Sequence, residues 1–181
     1  LAFYRSADKM TLIVADGSSE LTLWDVAGGN RLESLAHDQA GDRIAFAPGS
    51  KDSLIVAIGS QLRKCDYALK KWDAQQQKLP APIIAIAASE YRRVVAVATA
   101  DGSIALFDGE TIKPLQSWKH SDGKFDAKVP ISLAVSLKGD RVFTATSESQ
   151  GTVTVWDAKT GKKTGSFTHR DPDGTPEKSF R

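Results

Sequence analysis

Val153-Thr154-Val155-Trp156-Asp157 decides how this chain folds, because the same short strand with the same closing aspartate occurs four times. Toward the N-terminus its counterparts are Ile104-Ala105-Leu106-Phe107-Asp108, Leu62-Arg63-Lys64-Cys65-Asp66 and Leu21-Thr22-Leu23-Trp24-Asp25. From Asp25 onward the closing aspartates stand 41, 42 and 49 residues apart, the last interval being lengthened by a polar insertion from Ser121 to Lys128. Self-similarity at such a period signals a repeat architecture, in which each unit is one supersecondary element stacked on the next.

Each repeat carries two further apolar runs upstream of its closing strand. The nearer ones are Leu12-Ile13-Val14-Ala15, Leu54-Ile55-Val56-Ala57, Val94-Val95-Ala96-Val97 and Val142-Phe143-Thr144-Ala145. The farther ones are Leu1-Ala2-Phe3, Ile44-Ala45-Phe46, Ile83-Ile84-Ala85-Ile86 and Ile131-Ser132-Leu133-Ala134. Short, β-branched runs separated by Gly, Asp, Ser and Lys clusters are strand-and-turn chemistry rather than helix. Asp101-Gly102 between two such runs predicts a tight hairpin. A fourth strand per repeat is expected near Arg31–Leu35, Lys71–Ala74, Pro114–Trp118 and Lys163–Phe167. Histidine fixes the register: the chain has three, and His37, His120 and His169 each lie 12 residues after a closing aspartate, while Lys78 fills that place after Asp66.

A period in the low forties, Trp-Asp endings and a histidine at constant offset resemble the WD40 repeat family over residues 1 to 170. The resemblance implies an all-β fold, a β-propeller of four-stranded antiparallel blades. Four blades would lie at about 1–36, 37–78, 79–119 and 120–168, with 171–181 a polar tail or exit loop. The many Ala, Ser and Thr residues of the first two strands suit the crowded inner end of such a blade. The family closes its ring with seven blades, and six or eight also occur. The four repeats are therefore expected to belong to a larger seven- or eight-bladed ring, whose remaining blades come from the same longer chain or from a partner.

The resemblance also implies a hydrogen-bonded tetrad of Trp, Ser or Thr, His and Asp in each blade, since a buried indole N–H and imidazole must find partners. Carried over, it gives Trp156, His120 and either Thr144 or Thr146 in the last blade, with Glu148 in the turn where the family places Asp. The third blade has Thr99 and Asp101, but Phe107 replaces Trp. The second has His37 with Cys65 in the Trp place, and the first has Trp24 and Asp16.

Composition narrows the function classes. The 181 residues are 41% hydrophobic and 25% charged with a net charge of +2, so bulk electrostatics do not indicate nucleic acid or an anionic membrane. No apolar run approaches the ~18 residues of a membrane span. One cysteine, Cys65, excludes an intramolecular disulfide and fits an intracellular setting, cytoplasmic or nuclear. One histidine per repeat would spread around a ring rather than converge, which argues against a metal site or a catalytic triad.

No catalytic residue, cofactor or metal is therefore expected. The reading is a non-catalytic scaffold that binds other protein subunits of a larger assembly. Its binding face would carry the histidine loops and neighbouring turns: Asp38, Gln39, Ser121, Asp122, Lys124, Lys128, Glu148 and Arg170. Two alternatives stand beside it. Asp157-Ala158-Lys159-Thr160-Gly161-Lys162 is similar to the Asp-x-x-Thr-Gly-Lys stretch of quinoprotein enzymes, although Gly165 stands where those repeats dock a Trp. The scattered basic residues, such as Arg63-Lys64 and Arg92-Arg93, leave open a propeller contacting nucleic acid within a ribonucleoprotein or chromatin complex.

Overall fold

The structure, a computed structural model, describes residues 2–6, 9–15, 20–36, 44–48, 53–66, 71–89, 94–120, 130–146 and 152–168. These form sixteen strands and their turns, with no helix among the described residues. The first sheet holds β1 (Ala2–Ser6), β2 (Lys9–Ala15), β3 (Glu20–Asp25) and β4 (Asn30–Ala36). The second holds β5 (Ile44–Pro48), β6 (Ser53–Ile58), β7 (Gln61–Asp66) and β8 (Lys71–Lys78). The third holds β9 (Ile83–Ser89), β10 (Val94–Thr99), β11 (Ser103–Asp108) and β12 (Pro114–Lys119). The fourth holds β13 (Ile131–Val135), β14 (Arg141–Thr146), β15 (Thr152–Asp157) and β16 (Lys163–Thr168). Each sheet is an antiparallel meander in chain order, so the runs legible as strands are strands and the repeat is one sheet long.

Cross-strand register aligns the four repeats. Trp156 lies opposite Val142, as Phe107 lies opposite Val95, Cys65 opposite Leu54 and Trp24 opposite Leu12. In every sheet the pairing of the third and fourth strands slips at or just before this residue, at Leu23/Trp24, Arg63/Cys65, Leu106/Phe107 and Val155/Trp156. A bulge of this kind bends the strand and re-aims its side chain. The turn that follows is held by the closing aspartate. Asp108 Oδ1 accepts from Glu110 N (3.0 Å), Thr111 N (2.7 Å) and Thr111 Oγ1 (2.8 Å). Asp157 Oδ1 accepts from Thr160 N and Thr160 Oγ1, both at 2.8 Å. Asp25 accepts from Ala27 N and Gly28 N, both at 3.2 Å. The fourth residue past each aspartate returns its N–H to that aspartate's carbonyl and takes positive φ: Gly29 at 65°, Ile112 at 52° and Gly161 at 68°.

The sheets are stacked face to face, with first strands side by side: β1 beside β5, β5 beside β9, and β9 beside β13. Because strand side chains alternate between faces, a middle sheet buries both. Val95 and Val97 of β10 pack toward the second sheet with Ile55, Ala57, Leu62 and Phe107. Ala96 and Ala98 pack toward the fourth with Ile104, Leu106, Val142 and Trp156. Between the first and second sheets the layer is Ile13, Leu21, Leu54, Val56, Ile58 and Cys65. Each large side chain fully buried in these layers stabilises by about 1.5–3 kcal/mol. A backbone bond ties the second and third sheets at one rim, where Ile83 N donates to Gly59 O (2.7 Å), while Leu79 N to Ser60 O (2.8 Å) and Ala100 N to Pro82 O (2.8 Å) extend the pairing within each of those sheets.

Candidate functional site

The residues singled out by the repeat divide into three clusters, one per sheet, and do not share a single cleft. In the fourth sheet Trp156 is 7% exposed and Thr144 1%. The indole Nε1 donates to Thr144 Oγ1 at 2.8 Å, so of the two threonines considered it is Thr144 that receives the bond. His120, directly after β12 of the third sheet, sets its ring 5.8 Å from that of Trp156 at 52°. Its backbone N–H donates to Gly102 O at 2.9 Å. Burial, and the nearby positive charge of Lys163, lower the His120 pKa from its ordinary 6.5. Trp118 also packs on Trp156, its ring 6.0 Å away and tilted by 39°. It lies over Gly161, where a Cβ would come within 3.0 Å of the Trp118 ring. The Trp118 Nε1 is buried without a hydrogen-bond partner among the described residues.

The first sheet solves the same problem differently. Trp24 Nε1 donates to Thr22 Oγ1 at 3.1 Å, on its own strand. Register explains the change. Val14 occupies the position equivalent to Thr144, and Thr22 is the residue paired with it across the strands. In the third sheet, where Phe107 has no N–H to satisfy, the equivalent of Thr144 is Val97, and Thr99 lies two residues further on. Thr99 serves the hairpin instead. Its Oγ1 donates to Asp101 Oδ1 at 2.7 Å, while Ser103 N (3.1 Å) and Ser103 Oγ (3.1 Å) also donate to that carboxylate. Lys119 Nζ completes the cluster at 2.8 Å from Asp101 Oδ2 and 3.0 Å from its carbonyl. The Lys119 hydrogen bond, followed by that of Thr99, holds the Asp101 carboxyl far below the usual carboxylate range. Lys78, in the place of the missing histidine, makes no part of this cluster.

Cys65 is 1% exposed in the apolar layer, and burial pushes its thiol up to about 12. Such a thiol stays protonated and unreactive at neutral pH. Trp72 on β8 reaches across to the first sheet, donating from Nε1 to Ala36 O at 2.8 Å, with Arg63 stacked 4.6 Å from its ring. Asp16 and His37, and the predicted binding-face residues Asp38, Gln39, Ser121, Asp122, Lys124, Lys128, Glu148 and Arg170, lie outside the described residues. Among the described residues no group of three or more His, Cys, Asp or Glu side chains has metal-binding geometry, and no helix is long and apolar enough to cross a membrane.

Sequence reading missed the work of the closing aspartates. The signal was present as Asp108-x-x-Thr111 and Asp157-x-x-Thr160, a spacing suited to side-chain capping of a turn. It also missed the strand exchange from Thr144 to Thr22, which only register reveals. No protein-family model matches the chain, and no curated protein is significantly similar to it.

Proposed function

We propose that the chain is a WD40-type propeller segment that acts as a non-catalytic scaffold, presenting a loop-lined face to protein partners within a larger assembly. The observation that carries this reading is the fourth sheet, where a Trp-Asp ending buries its indole against Thr144 with His120 packed on the ring. Meander sheets stacked with first strands adjacent are the arrangement that such blades require. Exposure at the two ends supports a ring completed by further sheets, from the same longer chain or from a partner. Cys65, Phe107 and Trp156 are buried under the preceding sheet, whereas Trp24, their equivalent, is only partly buried. At the other end Phe167, the equivalent of Trp118, is 57% exposed. Rigidly held loops on such a scaffold bind by preorganisation rather than by chemistry.

The test replaces Ser121–Lys128 with a short Gly-Ser bridge and compares partners recovered by affinity purification and mass spectrometry. The reading expects a specific set of proteins to be lost, while circular dichroism and melting temperature hold. A partner set unaltered by the deletion overturns the loop assignment. Turnover with a bound quinone chromophore, or nucleic-acid affinity falling steeply with salt, overturns the scaffold itself.

A further inference from the structure

We infer that the notch between the second and third sheets is a binding pocket for a partner segment carrying an aromatic side chain next to a carboxylate. The inference is independent of ring closure and starts from the three internal interfaces. In each, one residue of the outer strand faces the next sheet beside its closing-strand residue. Between the first and second sheets it is Leu35, packed on the apolar layer. Between the third and fourth it is Trp118, packed on Trp156. The pairings Leu21–Leu35, Leu62–Gln77 and Ile104–Trp118 place Gln77 at the same position between the second and third.

A glutamine there leaves the space open. The void beside Cys65 in the first interface holds only about 10 Å³. The notch lined by Gln77, Lys78, Leu79, Phe107, Leu115 and Gln116 is open to solvent and offers about 470 Å³. That lies within the size range of small-ligand and side-chain pockets, about 300–1,000 Å³. Leu79 and Phe107, 8% and 4% exposed, form an apolar floor, and Leu115, 56% exposed, is an apolar wall open to solvent. Phe107 is the third-strand aromatic of this interface. It lacks the outer-strand ring that Trp118 gives Trp156, so an incoming aromatic side chain takes up the contact the repeat elsewhere makes in cis.

Charge selects the second half of the ligand. Among the described lining residues only Lys78 is charged; it is exposed and makes no ion pair with a described residue. Asp101, the nearby carboxylate, is already held by Lys119 and the hydroxyls of Thr99 and Ser103. A cation at the rim of an apolar notch favours a carboxylate beside the aromatic anchor, and disfavours a basic one.

The test titrates the ¹⁵N-labelled chain with N-acetyl-tryptophan, which carries an indole and a carboxylate, and with uncharged N-acetyl-tryptophanamide. Saturable amide shifts are expected at Leu79, Ser103, Phe107 and Ser117, with a dissociation constant on the order of millimolar for so small a probe. At low salt the acid should bind about fivefold more tightly than the amide. Gln77→Trp supplies the missing ring from the chain itself and should weaken the probe at least about tenfold. If that variant perturbs the fold, Gln77→Leu, which copies Leu35, serves instead. Lys78→Glu should erase the preference for the acid while still admitting the amide. The inference fails if the shifts are absent or scattered over the surface, if filling Gln77 leaves affinity unchanged, or if the acid is still preferred in Lys78→Glu.

Discussion

Replacing Thr144 by Val tests whether the buried indole bond holds the fourth sheet, and whether the repeat contains a spare acceptor. The two side chains are nearly isosteric, so the change opens no cavity and removes only the oxygen, 2.8 Å from Trp156 Nε1. An indole N–H left buried without an acceptor costs about 1–3 kcal/mol. The first sheet suggests where a replacement comes from. There Val14 stands at this position, and Trp24 turns to Thr22, two residues before it on the same strand. Thr154 has the same relation to Trp156 and lies opposite Thr144. Thr144→Val should therefore cost about 1 kcal/mol, the lower end of the penalty, because Thr154 accepts the bond. Thr154→Val alone should be near neutral. The double variant should cost about 2–3 kcal/mol, giving a coupling of about 1–2 kcal/mol. For a chain of this size each kcal/mol lowers the melting temperature by about 2–4 °C. Urea unfolding followed by near-ultraviolet circular dichroism measures all four species. A Thr144→Val midpoint equal to the parent's refutes the importance of the bond. Strictly additive single costs refute the spare acceptor.

Gly161→Ala and Gly29→Ala share a positive-φ strain of about 1 kcal/mol, but only at Gly161 does the new methyl meet a ring, that of Trp118 at 3.0 Å. Chemical denaturation should show the larger loss at Gly161, together with altered tryptophan emission. His120 has a lowered pKa in the fold, so the unfolded chain binds its proton first on acidification. Stability is full above about pH 6.5 and should fall as pH drops below it, read as a declining urea midpoint that His120→Gln flattens. Cys65, pushed from 9.0 up to about 12, gives the opposite sign: stability should be lost as pH rises from about 9 toward 12, and the thiol should react with maleimide only on unfolding. Asp101→Asn should cost under about 1 kcal/mol, since its pairing with Lys119 is solvent-screened. In the parent that contribution is complete above the ordinary carboxylate range and lost as pH falls below it, a loss the variant should lack.

Strand content was legible because it follows from a local pattern. Short β-branched runs recur at one period and, among the described residues, lie on strands, while Asp101-Gly102 and Lys138-Gly139-Asp140 lie in the hairpin turns between them. Which interior threonine meets which tryptophan was not legible, because it depends on cross-strand register. Thr144 and Thr146 both lie on β14 and face the same way, and the pairing of Val142 with Trp156 separates them. The partner of Asp101 was hidden for a related reason. Lys119 is eighteen residues away in sequence but is paired across β11 and β12, with Ser103 opposite it. The notch was invisible for a third reason, since it depends on comparing interfaces: Leu35 and Trp118 pack into two of them, and Gln77 stands at that position in the third.

The varied closing residues, Trp24, Cys65, Phe107 and Trp156, look like decay of a motif, but the positions around them vary in step. Where the residue is Trp156, the equivalent second-strand position is Thr144, an acceptor for its N–H. At Phe107 and Cys65 that position is Val97 and Val56, both 0% exposed. A hydroxyl buried there would have no indole to receive. At Trp24 it is Val14, and the acceptor moves across the pairing to Thr22. The turn residue follows the same logic. Gly161 leaves room for Trp118, whereas Ile112, where Gln77 presents no ring, is 0% exposed and accepts a φ of 52° that a β-branched residue rarely adopts. Its buried side chain, lost in Ile112→Gly at about 2–5 kcal/mol, outweighs the roughly 1 kcal/mol of relieved strain. Each sheet thus satisfies its buried donors and fills its closing turn with its own set of residues, and the fold persists because the sets change together.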